Sequence, residues 1–329
     1  MAGTVISRTY DALLTTTLDN YQRQLSDNIF DVYPLLSWLN GKLGRAMRGS
    51  SAKRLVSGGV EIQVHLLYGQ NDTVKSYTSY EDLSPTPQEG LSIARFPWTQ
   101  YSGTLSMSGL ERRNNRGEAA LLSLFKSKVE QLEMSLRDRM SRDAYGDGTG
   151  NAGKNMDGLG LICSNSSTLG QVSATGNGGF WQAFVNANGG AFASVGLSAM
   201  RTAYNTLLYG NQGPEVIFTT QSIFEAYEEW VQAQQRFPVV EPKAADLGFR
   251  TFSFKGAPMF FDRDCTSGEM YFLTSFMRQL EMVVNDEADF STSPVVNRDD
   301  QDAWSSRVLW QGNLATNNRR KQGVIRGFT

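Results

Sequence analysis

The stretch "TFSFKGAPMFFDRDCTSGEMYFL", Thr251 to Leu273, decides how the chain is read, because two accounts compete for it. Asp262, Asp264, Cys265 and Glu269 fall within eight positions, a density that suits a metal cage or an acid/base pair. The same residues also suit the polar end of a β-hairpin. Phe252 and Phe254 share a strand face, Gly256-Ala257-Pro258 turns the chain, and Met259–Asp262 and Met270–Leu273 read as the next strands. Asp accepts hydrogen bonds from backbone N–H groups in turns, and Gly268 lies in this one, so the loop is self-consistent without a metal. A bound Ca²⁺ is the alternative. No nucleophile and base lie close by in sequence.

Upstream, "PEVIFTT" reads as a short buried strand ending in a Thr cap. "QSIFEAYEEWVQAQQRF" continues it as a helix, a β–cap–α run typical of an α/β sheet. Before it, a helix is expected from about Val195 to Tyr209, with the stripe Leu197, Met200, Tyr204, Leu207, Leu208. Residues 146–192 are rich in Gly, Asn and Ser and read as loops with short strands, because Leu159, Leu161 and Ile162 still need burial. Within them "GTGNAGKN" (148–155) approaches a phosphate-binding loop but has Asn155 where Ser or Thr should ligate magnesium, and it leaves a helix rather than a strand.

From Glu118 to Tyr145 no Gly or Pro interrupts an amphipathic pattern, with Leu121, Leu124, Phe125, Lys128, Leu132, Leu136 and Met140 on one stripe. This predicts a helix of roughly 40 Å. Residues 55–110 read as two long strands forming an extended hairpin around a polar middle that carries Tyr77 and Tyr80. In "GVEIQVHLLYG" the alternation puts His65 on the polar face. Residues 6–40 read as a helix with Leu14, Leu18, Tyr21, Leu25 and Ile29 in one stripe, either an arm for a neighbour or an ordinary core helix. The end of the chain gives strands around Leu309 and Val324, with Asn317–Lys321 in a turn between them.

Composition narrows the chemistry. The 329 residues are 40% hydrophobic and 19% charged, with net charge −2, an ordinary globular balance without the basic excess of a dedicated nucleic-acid binder. One histidine and two cysteines, Cys163 and Cys265, make a zinc site or a nucleophile–His triad a poor fit. The opening "MAGTVISRTYDALLTTTLDN" has no apolar core of a signal peptide, and no apolar run has the length of a membrane span. Synthesis in a reducing cytoplasm is expected, and a disulfide between the two cysteines is not.

The order of these elements resembles the tailed-phage major capsid proteins of the Hong Kong 97-type fold. Three stretches carry the resemblance by their joint order: "LLTTTLDNYQRQLSDNIFDVYPLLSWL", "VIFTTQSIFEAYEEW" followed by "LGFRTFSFKGAPMFFDRDCTSGEMYFL", and "LWQGNLATNNRRKQGVIRGF". The resemblance implies an α+β fold with an N-terminal arm (1–54), an extended β-hairpin E-loop (55–110), and a peripheral (P) domain with a long spine helix (111–192). An α/β axial (A) domain (193–290) and strands returning to the P domain (291–329) complete it. It implies a coat subunit, not an enzyme, that assembles through pentamers and hexamers into an icosahedral shell around double-stranded DNA. No cofactor, metal or membrane is implied. The implied partners are copies of itself, a separate scaffold protein if any (the arm is too short to include one), a portal and decoration proteins, and the implied location is the virion. Tyr77 and Tyr80 are then expected at contacts between subunits. Arg319 and Arg320 are expected there too; the acidic "NRDDQD" segment (Asp299, Asp300, Asp302) reads either as a polar connector or as the partner of a neighbour's Arg319, Arg320 and Lys321. Lys75 is the only lysine in the E-loop proper, and nothing identifies a Lys–Asn cross-link. An encapsulin-like cargo compartment and a metal-dependent enzyme using the Asp262–Glu269 cluster are the competing readings.

Overall fold

A computed structural model describes residues 33–41, 52–83, 85–114, 124–210, 212–233, 252–294, 296–297 and 301–329. The expected N-terminal helix stripe (Leu14 to Ile29), the first residues of the long helix and the acidic pair Asp299 and Asp300 lie outside them. The strands run, in chain order, β1 (Lys53–Val56), β2 (Glu61–Leu67), β3 (Leu91–Pro97), β4 (Thr99–Ser108), β5 (Phe184–Asn186), β6 (Val216–Thr219) and β7 (Phe252–Phe254). They continue with β8 (Ala257–Phe261), β9 (Met270–Leu273), β10 (Glu281–Asn285), β11 (Ser291–Thr292), β12 (Val296–Asn297), β13 (Ala303–Ala315) and β14 (Gly323–Ile325). The chain divides into two compact units. One contains Gln100–Met140 and Asn285–Gln311; the other contains Tyr33–Thr99, Ser141–Val284 and Gly312–Thr329.

The larger unit is organised by a mixed sheet in the order β5-β14-β9-β6-β8-β7. Every residue of β6 and β9 is buried, as uninterrupted apolar strands covered on both faces should be. One face carries Ile217, Met259, Met270, Phe272 and Ile325. It packs with the helices Leu197–Leu207 and Gln221–Ala233 through Met200, Ala203, Leu207, Phe224 and Tyr227. The other face carries Phe218, which meets Trp38 edge-on at 5.9 Å and Phe260 in a stack at 5.9 Å. Trp38 belongs to a helical turn, Pro34–Leu39, whose five apolar residues Pro34, Leu35, Leu36, Trp38 and Leu39 are all buried.

β2 and β3 form a separate antiparallel ribbon, Glu61 opposite Pro97 through Leu67 opposite Leu91. Ile62, Leu66, Ala94 and Phe96 point inward, while His65 is exposed on the outer face, as the alternation predicts. The extended hairpin is shorter than the sequence suggests. Its second run is broken at Trp98, and β4 pairs with β13 instead. Pro97 has no N–H to continue the ladder. The burial phase also slips there, from Ala94 and Phe96 to Thr99 and Tyr101. At the other end of the ribbon the backbone at Gly69 and Gly90 approaches closely, and a Cβ on Gly69 would lie 3.0 Å from Gly90 Cα.

In the smaller unit, β4, β11 and β12 line the first part of β13. Tyr101 packs edge-on against Trp310 at 5.7 Å. Gly103 leaves room for Leu132 of the helix Leu124–Tyr145, since a Cβ there would come within 2.5 Å of Leu132 Cδ1. That helix has 22 described residues, roughly 33 Å at the standard rise, and buries Leu136 and Met140 from the expected stripe.

Candidate functional site

The 262–269 turn is where the sequence places carboxylates and a thiol together. Asp262 follows β8 and is 2% exposed. Its Oδ1 accepts the N–H of Asp264 at 3.0 Å. Its Oδ2 accepts the O–H of Tyr145 at 3.1 Å and the N–H of Leu35 at 3.3 Å. The first of these is the local turn bond that the sequence suggests. The others are long-range: Leu35 sits in the first turn of the Pro34–Leu39 helix, where backbone donors have no intrahelical partner. Asp262, 227 residues away, supplies the missing acceptor. Burial pushes the Asp262 carboxyl above its usual range, opposed by these three hydrogen bonds. Burial, together with the nearby Asp262 carboxyl, pushes the Tyr145 phenol upward.

Glu269 and Cys265 of the cluster are engaged as well. Glu269 accepts the Tyr271 hydroxyl, and its Oε1 lies 3.0 Å from Arg326 Nε, an ion pair by distance whose N–H is not aligned with it. Cys265 is buried with its thiol toward the carbonyls of Thr266 and Glu269, and burial raises its pKa. Cys163 is fully buried and pushed up to about 12 by the same cause. Neither thiol is poised as a nucleophile, because reactivity belongs to the thiolate. Among the described residues no three His, Cys, Asp or Glu side chains converge to hold a metal ion. The near-match at 148–155 makes a tight turn instead of a phosphate cradle. Asn151 and Ala152 adopt left-handed backbone, and Asn155 Nδ2 donates to Asp143 Oδ1 at 3.0 Å.

The four residues singled out as subunit contacts separate. Tyr77 and Tyr80 are exposed on the excursion between Gly69 and Gly90, in the company of exposed Val74 and Leu83. Arg320 is exposed, with its guanidinium 5.9 Å from the Tyr209 ring centre. Arg319 does not fit the expectation, since none of its surface is exposed. Its Nε donates to Ile162 O at 2.8 Å, Nη1 to Ser167 O at 2.7 Å and Trp181 O at 3.2 Å, and Nη2 to Leu161 O at 2.6 Å and Ser167 Oγ at 2.8 Å. Burial lowers its pKa to about 10, which leaves it charged at neutral pH. A guanidinium spent on the backbone of its own chain is not offered to a neighbour's carboxylates. It ties the irregular 158–181 segment to the 3₁₀ turn Arg319–Lys321.

Two further polar residues that sequence reading passed over do similar work. Gln322, fully buried, accepts Thr274 N–H and donates to the carbonyls of Thr274 and Gln279. Asn313 accepts Asp157 N–H and donates to Pro97 O and Asp157 Oδ2. Both sit in the C-terminal stretch, where "GNLATNNRRKQG" shows polarity but not direction.

No protein-family model matches this chain, and no curated protein does. Solved structures do match it. The capsid asymmetric unit of cyanophage A-1(L) superposes with a TM-score of 0.68 at 17% identity, over 95% of this chain and 97% of its own. The capsid of Myoviridae phage XM1 gives 0.59 at 11% identity with both chains fully covered. The encapsulin complex from Synechococcus elongatus PCC 7942 gives 0.58 at 11% identity, over 93% of this chain and 96% of its own. The mixed helix-and-sheet fold is therefore that of the Hong Kong 97-like shell subunits.

Proposed function

We propose that this chain is the major coat protein of a tailed bacteriophage, assembling through pentamers and hexamers into an icosahedral shell around double-stranded DNA. The observation that carries the reading is likeness to shell subunits over nearly the whole length of both chains. The exposed excursion between Gly69 and Gly90 supports it. Val74, Tyr77, Tyr80 and Leu83 there bury little against their own chain, which makes sense where a neighbour supplies the contact. The carboxylates of Asp262 and Glu269 are engaged within the fold, which supports a structural rather than an enzymatic role. Among the described residues no helix is long and apolar enough to cross a membrane. The virion is the proposed location, after synthesis in the host cytoplasm. A scaffold protein, a portal and decoration proteins are the proposed partners besides the chain itself.

The likeness to an encapsulin supports a second reading, a shell that stores cargo protein. One experiment addresses both. The chain is expressed alone and with neighbouring genes, then examined by negative-stain microscopy, with nuclease protection of the contents. Closed shells or five- and six-membered rings are expected. Nuclease-protected double-stranded DNA in the shells favours the phage coat, and enclosed protein favours the compartment. A monomer in every preparation overturns both. Deleting Thr73–Glu81 is expected to leave a folded subunit that no longer forms stable shells, and normal shells from that variant would remove the excursion from the account.

A further inference from the structure

Three loops of the larger unit meet on a surface that the fold itself does not use. Asn317 Nδ2 donates to Met277 O at 2.9 Å, joining the Asn317–Lys321 loop to the Phe276–Gln279 loop. Lys321 Nζ lies 4.6 Å from the Tyr209 ring centre, with Arg320 beside it, joining both to the loop at 208–212. The surface they make is apolar at Leu208, Tyr209 and Met277, the last of these 68% exposed. It is basic at Arg278 and Arg320, and none of the three loops contains Asp or Glu. The carboxylates flanking it are already engaged: Glu281 Oε2 lies 4.0 Å from Arg278 Nε while Arg54 holds Glu281 at 2.8 Å, and Glu215 Oε2 accepts Ser275 N–H and O–H at 3.0 and 2.7 Å. Met277 and Arg278 both hold left-handed backbone, φ 53° and 63°. For residues with a Cβ that conformation is sterically costly and collects at sites that bind. An unbranched, polarisable methionine held outward on such a turn suits an adaptable contact.

The excursion between Gly69 and Gly90 has the opposite character. It carries Asp72, Glu81, Asp82 and Glu89 against one cation, Lys75, which pairs with Glu81 at 2.8 Å. Its exposed apolar side chains are Val74, Tyr77, Tyr80 and Leu83. We propose that the acidic excursion of one copy seats on the Tyr209–Met277–Arg320 surface of the next copy, aromatic and aliphatic groups at the centre and opposite charges at the rim. This rests on the shell reading and specifies which surface receives the excursion. Because the two surfaces differ, the contact is head-to-tail, and a head-to-tail contact closes into rings when its rotation divides the circle. The charges set the register and the salt dependence.

The test is a charge exchange in the full chain. One variant carries Arg278→Glu and Arg320→Glu, a second carries Asp72→Arg and Asp82→Arg, and a third carries all four. The threshold concentration for shells or rings is read by light scattering and microscopy at low and high salt. Each two-site variant is expected to raise the threshold at least roughly tenfold at low salt, since like charges then face each other. The four-site variant is expected to recover most of that loss. Met277→Asp, on an exposed side chain, is expected to raise the threshold while the melting temperature of the unassembled subunit stays at the parent value. Unchanged thresholds in the two-site variants, or a four-site variant no better than they are, would overturn the proposed contact while leaving the shell reading in place. A parent chain that forms neither shells nor rings would overturn the shell reading itself.

Discussion

Replacing Arg319 separates a residue that holds the subunit together from one that joins subunits. Arg319→Met keeps an unbranched side chain of similar length and removes the guanidinium, which makes five hydrogen bonds to Leu161, Ile162, Ser167 and Trp181. Hydrogen bonds from a charged donor contribute about 1.5–3 kcal/mol each, so the gross loss is roughly 7–15 kcal/mol. Against this, the variant no longer bears the cost of keeping a guanidinium out of water, several kcal/mol in a folded protein. The net expectation is a loss of several kcal/mol, because the carbonyls of Leu161, Ile162, Ser167 and Trp181 are left in the interior without this donor, at about 1–3 kcal/mol for each that stays unsatisfied. The assay is urea unfolding of the unassembled subunit, followed by tryptophan fluorescence, because Trp181 lies in the network. Arg319→Lys should fall between the two, since an ammonium is a compact charge that cannot reproduce the guanidinium's fork. If Arg319→Met unfolds within about 1 kcal/mol of the parent and fails only in assembly, the reasoning is wrong and the residue belongs to an interface.

Two other expectations follow from the buried groups. Asp262→Ala leaves Leu35 N–H, Tyr145 O–H and Asp264 N–H without their acceptor and should cost about 2–4 kcal/mol of subunit stability, with Asp262→Asn costing less. Because the folded-state pKa of Asp262 is raised, its contribution is fully present below the unfolded value and is lost as pH rises through the folded one. The stability advantage of the parent over Asp262→Asn should therefore shrink as pH rises from about 4, and melting curves that show it constant or growing would contradict the assignment. Cys163 and Cys265 should both be silent to Ellman's reagent at pH 8 in the native subunit and both react in urea, and rapid labelling of either in the native state would contradict their burial.

Periodicity and chain-breaking residues are local properties, and what depends on them was legible. The run from Leu124 to Tyr145 is a long helix, "VIFT" and "MYFL" are doubly covered strands, and the alternation through His65 puts that side chain outside. What depends on partners distant in sequence was not. Thr99–Ser108 has the same β character as Leu91–Pro97, yet one pairs with β13 and the other with β2, and only the break at Pro97 hints at it. Asp262 reads as a turn residue, and it is one, but one of its three hydrogen bonds caps a helical turn 227 residues earlier. Arg319 and Arg320 are adjacent and chemically identical. A 3₁₀ turn sends the first into a ring of carbonyls and leaves the second at the surface, so their opposite roles come from the direction of a side chain, which no pattern of residue types contains. Sequence alone therefore determined the elements and the absence of an obvious catalytic constellation. The tertiary structure decided which polar groups are consumed by the fold and which remain for a partner, because a buried charge is stable only where distant backbone happens to converge on it.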